Sequence, residues 1–257
     1  MPTGARPVER APDGHAPRPV RAGVRLLRRI PFTLGFLAVM VVANAASGTV
    51  SGRLDPDVLG ARGIGLDAIR DGDPTRFVTA IFLSHDLPML LRQLPFAALV
   101  IGRAEWLWGS TRAAGLFFGI DLAAGAILLA AIALIPALSP LAATTDVGMS
   151  LGGFGLIGVL VARGRRRGWA ALVAILALVA GKSALVPEPL ADAGHAIALV
   201  LGFGVGVVLG SLGRPAPGRL IGRDSCPMVA GPGRAGTAAG LASRETATAT
   251  TGRGGRA

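Results

Sequence analysis

The sequence predicts an all-α membrane protein, a bundle of six transmembrane helices. Three observations carry that prediction. Hydrophobic residues make up 51% of the 257-residue chain and its mean hydropathy is +0.58, which is unusual for a soluble domain. The apolar residues fall in six blocks, most of them near the ~20 residues needed to cross ~30 Å of hydrocarbon. The arginines gather in alternate gaps between the blocks, as the preference of positive charge for cytoplasmic loops requires.

The elements follow in order. Residues 1–30 are rich in Pro and Arg without an apolar period, which predicts a disordered basic arm. The first apolar run is Pro31–Val50. "ANA" at residues 43–45 resembles a signal-peptide cleavage site, but the arm ahead of it is long for such a leader, and losing this run would leave five spans. Ser51–Arg76 is polar. Further apolar blocks cover about 77–101, 113–137, 147–162, 169–186 and 193–213, so residues 31–213 read as one membrane domain. Residues 214–257 are rich in Gly, Ala, Thr and Arg and read as a disordered cytoplasmic tail. No soluble domain and no repeat of fixed period is visible.

Charge orients the bundle. With the N-terminus inside, the inner segments hold seven arginines in the arm, two in residues 102–112, four in "RGRRRG" and seven in the tail. The outer segment 51–76 holds four arginines beside five aspartates. This places both termini in the cytoplasm and accounts for the net charge of +11 without nucleic acid. Arginine in place of lysine throughout, except at Lys182, and abundant Ala and Gly suggest a high-GC genome, hence a bacterial plasma membrane. The single cysteine, Cys226, excludes an intramolecular disulfide and a cysteine-held metal cluster.

Two charges lie inside blocks. Arg92 and Asp121 sit about ten and nine residues above the inner ends of neighbouring spans, so both are roughly 13–15 Å deep. Charges at that depth face protein or water. The matching depths predict a structural Arg92–Asp121 ion pair, with a proton or ion pathway as the alternative.

The stretch "VGMSLGGFGLIG" (147–158) opens the fourth block, which spans only 16 residues. With "RGRRRG" pinning its inner end, its outer end is sunk below the surface. Ser150 therefore lies at a submerged helix N-terminus, where free N–H groups and the dipole favour a developing oxyanion. A serine nucleophile needs a base. The chain has three histidines: His15 in the arm, His85 near the outer end of the second block, and His195 at the start of the sixth. After His195, Ala198, Gly202, Gly206 and Gly210 form a small-residue stripe that lets another helix approach closely. Gly152, Gly153, Gly155 and Gly158 offer a matching surface on the fourth block. If the stripes meet, His195 comes towards Ser150; plain helix packing is the other reading of the same residues.

These motifs resemble the rhomboid family of intramembrane serine proteases over about residues 65–210. "GDPTRFVTAIFLSH" (72–85) is similar to the family's approach to its second helix at Arg76, Thr79, Ala80, Phe82 and Leu83. "GRAEWLWGSTR" (102–112) is similar to the following link at Gly102, Glu105, Gly109, Ser110 and Arg112. "VGMSLGGFGLIG" matches the catalytic helix at Gly148, Ser150, Phe154, Gly155, Leu156 and Gly158. "GHAIALVLG" matches the histidine helix at His195 and Gly202. The resemblance implies a divergent rhomboid-like six-helix bundle in which a Ser150–His195 dyad cleaves transmembrane protein substrates near the outer leaflet. Gln93 and the backbone N–H of Ser150 hold the oxyanion, His85 and Gly148 give possible support, and no cofactor or metal takes part. The lipid bilayer is its medium, and nucleic acid is no partner.

The departures are specific. The glycine that follows the nucleophile in the family is Leu151, which is expected to crowd the oxyanion site. The family's oxyanion-holding histidine and asparagine fall on Met89 and Gln93. Its first histidine falls on Ser84, one place before His85, and the tryptophan before Arg76 is Thr75. A non-catalytic relative that binds transmembrane helices is the alternative, and an unrelated transporter or structural membrane protein the third reading.

Overall fold

The computed structural model describes Leu27 and residues 29–212. Most of the basic arm with His15, and the tail with Cys226, lie outside the described residues, so the disorder expected of both does too. Among the described residues there are nine α-helices and no strand, only two isolated bridges, Arg53–Asp86 and Ile64–Asp146. The helices are α1 (Pro31–Ala46), α2 (Pro56–Arg62), α3 (Leu66–Arg70), α4 (Arg76–Thr79), α5 (Leu87–Trp108), α6 (Ser110–Leu134), α7 (Ser150–Ala162), α8 (Arg166–Leu185) and α9 (Pro189–Leu212). Four of them, α5, α6, α8 and α9, are long and apolar enough to cross a membrane, while α1 and α7 are shorter apolar helices.

Helix α5 departs most from the expected boundaries. The apolar block begins at about residue 77, yet the helix starts at Leu87. Residues 76–86 form the single turn α4, a 3-10 turn at Ala80–Phe82 and extended backbone. The start is set locally: the Asp86 carboxylate accepts the Met89 N–H at 2.7 Å, and Pro88 sits in the first turn, where its missing N–H costs nothing. The far end runs through Glu105 to Trp108, residues expected in a loop. Glu105 is buried there because its carboxylate caps α1. It accepts the N–H groups of Phe32 and Thr33 at 2.8 Å and the hydroxyls of Thr33 and Ser110 at 2.6 Å. Gly109 alone, at φ 80°, turns the chain into α6. That is a conformation glycine adopts without steric cost.

The polar stretch 51–76 carries α2 and α3 and braces the segment before α7. Ile64 and Asp146 exchange backbone hydrogen bonds at 2.9 Å, and Asp67 N–H reaches the Ala142 carbonyl at 3.2 Å. Arg76 donates to the Gly60 carbonyl at 2.6 Å, tying α4 to the end of α2. The largest core cluster lies below, around Phe36, Met40, Ile101 and Phe117. The Phe36 and Phe117 rings meet edge to face at 4.9 Å.

Helix α7 stands in the middle of the bundle, packed against α5, α6, α8 and, most extensively, α9. Thirteen residues make it ~20 Å long, and it begins at Ser150 itself. The expected stripes do meet. A Cβ on Gly202 would strike the Gly155 carbonyl, one on Gly158 would strike the backbone of Leu199 and Phe203, and one on Gly206 would lie 2.7 Å from the Ala162 Cβ. Gly152 and Gly153 instead face Phe117 of α6 and Phe96 of α5, and Gly210 faces open space. Gly202→Ala or Gly158→Ala should therefore destabilise the purified protein by ~1–3 kcal/mol through overpacking. Gly210→Ala should be neutral. Denaturant unfolding in detergent measures the difference, and equal effects at all three positions would contradict the contact.

Candidate active site

The segment before α7 aims Ser150. Gly148 has φ +132°, and its N–H donates to the Ala80 carbonyl at 2.8 Å. A Cβ there would lie 2.6 Å from Gln93 Nε2 and 3.0 Å from Met89 Cε, so both the backbone and the space demand glycine. Ser150 then faces a cavity of about 660 Å³ at the end of the bundle that carries the acidic loops. His195, Gln93, Met89, His85, Arg92 and Glu188 line the same cavity.

His195 enters from α9. Its ring stacks on Phe154, one turn below Ser150, with centroids 4.3 Å apart and planes 19° from parallel. Its Nε2 is buried without a hydrogen-bond partner among the described residues, and no hydrogen bond joins it to Ser150. An unpartnered imidazole nitrogen in a cavity is open to a proton or to a ligand donor.

Gln93 is buried on α5, and its Oε1 accepts the Ser84 hydroxyl at 2.6 Å. Ser84 is itself locked, its N–H donating to Asn44 Oδ1 at 2.9 Å while Asn44 Nδ2 donates to the Phe82 carbonyl at 2.8 Å. With its oxygen engaged, the Gln93 amide turns its Nε2 donor towards Gly148. Sequence reasoning missed Asn44 altogether. The available signal was a lone carboxamide inside an apolar run, where polar side chains need a partner.

Met89 supplies no donor; its sulfur accepts the His85 N–H at 3.3 Å. Leu151 does not crowd Ser150, which corrects that expectation. One residue along the helix turns its side chain by ~100°, and it lies against Gly194 of α9 and Gly125 of α6. There it borders a separate cavity of about 40 Å³.

The expected Arg92–Asp121 pair is corrected too. No ion pair joins them among the described residues; Arg92 is exposed at the rim of the Ser150 cavity. Asp121 is buried on α6, and its Oδ1 accepts the Gly152 N–H at 2.8 Å, capping α7 from the side. Depth counted along a helix does not fix the direction a residue faces around it.

His85 lies just outside α5, and its Nε2 meets Asp146 Oδ1 at 2.9 Å, clipping the segment before α5 to the segment before α7. The Asp146 hydrogen bond raises the His85 pKa above the ordinary histidine value; part-burial opposes this, and the charges of Asp146, Asp86 and Glu188 add to the rise. No protein-family model matches the chain, and no curated protein matches it.

Two outcomes follow from this geometry. Asp121→Ala strands the Gly152 N–H and should cost ~1–3 kcal/mol, Arg92→Ala should cost under ~0.5 kcal/mol, and the double variant should equal Asp121→Ala within ~0.5 kcal/mol. A coupling above that in the double-mutant cycle would restore the ion pair. For the clip, protonated His85 stabilises the fold. That contribution is complete below the unfolded value of ~6.5 and is lost as pH rises through the elevated folded value. The wild-type melting temperature should thus fall more steeply than that of His85→Gln as pH rises from ~6.5; parallel curves would exclude the clip.

Proposed function

We propose that the chain is an intramembrane serine protease of rhomboid type, with six membrane-crossing helices and both termini in the cytoplasm. Helices α1 and α7 supply the two short spans, α7 with its outer end sunk in the bundle. The substrate is a transmembrane segment of another protein, unwound into the Ser150 cavity. Ser150 Oγ attacks the scissile carbonyl carbon while His195 takes the hydroxyl proton. The tetrahedral oxyanion is held by the Ser150 N–H and Gln93 Nε2. Collapse breaks the C–N bond, and His195 delivers the proton to the leaving amine. Water, deprotonated by His195, then releases the acyl group and restores the serine.

One observation carries this reading: a serine at a helix start and an imidazole with an unpartnered Nε2 line a cavity beside a pre-oriented amide donor. A hydrogen bond between nucleophile and base often tightens only with substrate bound, so its absence in the free protein is compatible with catalysis. The non-catalytic alternative, a binder of transmembrane helices, draws support from Met89, which cannot donate where the resembled family has a histidine. A transporter reading loses its main feature, because Arg92 and Asp121 do not pair.

Ser150→Ala adds no volume and should fold normally. It should lose both labelling by a fluorophosphonate probe and cleavage of a model transmembrane substrate in proteoliposomes. His195→Ala should cost nearly as much, since members of one catalytic unit are not additive. Gln93→Ala should slow cleavage about a hundredfold. If wild type and Ser150→Ala label and cleave alike, the protease reading fails. If wild type does neither but still captures helical segments, the binder reading replaces it.

A further inference from the structure

We infer that the end of the bundle opposite Ser150 holds a binding site for one anionic phospholipid. A cleft of about 570 Å³ opens there between Trp108 at the end of α5, the ends of α7 and α9, and the start of α8. Its floor is apolar, formed by Val159, Ala162 and Phe203, and Gly210 beside them faces open space, which leaves a slot that side chains do not fill. Trp169 and Phe203 meet edge to face at 4.6 Å and form one wall. The rim is cationic. The Arg163 guanidinium lies over the Trp108 ring, 5.7 Å from its centroid. Arg165 sits at the turn between α7 and α8 with φ 54° and ψ −120°. A side chain other than glycine is strained in that conformation, and such strain persists where the surrounding structure enforces it.

The charge around the cleft is one-sided. The described helix ends and turns on this side carry Arg29, Arg103, Arg112 and the four arginines of residues 163–167. Glu105 is their one described carboxylate, and it is buried and fully engaged in capping α1. Among the described residues no exposed carboxylate therefore competes for the rim. Orientation in the membrane accounts for arginines at this end in general. It does not account for two of them framing an apolar slot, one stacked on an indole and one in a strained turn. A cationic rim over an apolar, aromatic-walled floor fits an amphiphile with a phosphate head, because basic pockets between membrane helices match anionic lipid headgroups. A free phosphate would leave the slot unused, and a neutral lipid would leave the guanidiniums unpaired. This inference does not depend on the proposed protease activity.

The test uses the purified full-length protein in a neutral detergent, titrated with phosphatidylglycerol, phosphatidylcholine or inorganic phosphate. Native mass spectrometry counts retained lipid, and thermal unfolding reports its effect on stability. One phosphatidylglycerol per chain should be retained and should raise the melting temperature; phosphatidylcholine and millimolar phosphate should do neither. Arg163→Gln with Arg165→Gln should weaken phosphatidylglycerol about thirtyfold, the effect of removing two arginines at an anionic surface. Arg112→Gln with Arg167→Gln, at the same end but away from the cleft, should change it by less than about threefold. Arg165→Gly separates the site from general stability. It should keep or raise the lipid-free melting temperature by easing the backbone, yet lower lipid affinity. Equal retention of phosphatidylcholine, equal loss in the control pair, or a full stabilising effect from phosphate alone would each overturn the site.

Discussion

Helix α7 touches α9 backbone to backbone, at Gly155 and Gly158 against Leu199, Gly202 and Phe203, and most of the remaining architecture depends on that contact. In an apolar medium there is no hydrophobic gain from pressing two helices together, so association rests on close van der Waals packing between small residues. Glycines on both partners let the two backbones meet. Once they do, α7 is placed centrally and the rotation of both helices is set. Phe154 and His195 then face each other, and Ser150, one turn above Phe154, opens onto the cavity that His195 lines. The larger side chains of α5 and α6 fill the other glycine faces of α7, Phe96 at Gly153 and Phe117 at Gly152.

A second constraint shapes the polar atoms. Backbone groups at helix starts lack intrahelical partners, and a bundle of apolar helices offers little water to satisfy them. Here two carboxylates from neighbouring helices do so. Glu105 of α5 accepts from the first turn of α1, and Asp121 of α6 accepts from the first turn of α7. Each acidic side chain looks misplaced in its own apolar helix. Each is placed correctly for its neighbour, because a helix start carries the positive end of the dipole. The His195 Nε2 stands apart from this pattern of satisfied groups, and it faces a cavity rather than a packed core.

The helical character of the chain was legible because long apolar runs report helices directly, and each of the six blocks overlaps one apolar helix. Helix starts were less legible. Residues 77–86 are apolar enough to extend the second block, but Asp86 and Pro88 form a start signal that hydropathy does not register. The approach of Ser150 and His195 to one cavity was legible because glycine spacing of four marks one helix face. The exposure of Arg92 and the Gly152 partner of Asp121 were not, since depth along a helix can be counted from sequence but facing direction depends on tertiary packing. The same limit hid Asn44, whose partners Phe82 and Ser84 lie 38 and 40 residues away.

That remote network explains how a glutamine can serve where the resembled family has an asparagine. On the proposed reading, Gln93 must hold its amide donor still while charge develops on the substrate oxygen. Its side chain has one more rotatable bond than asparagine, so an isolated glutamine would lose more freedom in reaching a fixed position. The buried Ser84 hydroxyl removes that freedom in advance by engaging Oε1 at 2.6 Å. Ser84 is held in turn by Asn44 of α1. Gly148 leaves room for the longer arm of Gln93, because a Cβ there would lie 2.6 Å from the amide nitrogen. On this reading Gln93, Ser84 and Asn44 form one coupled unit, in which the serine hydroxyl orients the amide and the carboxamide of α1 fixes the backbone of that serine.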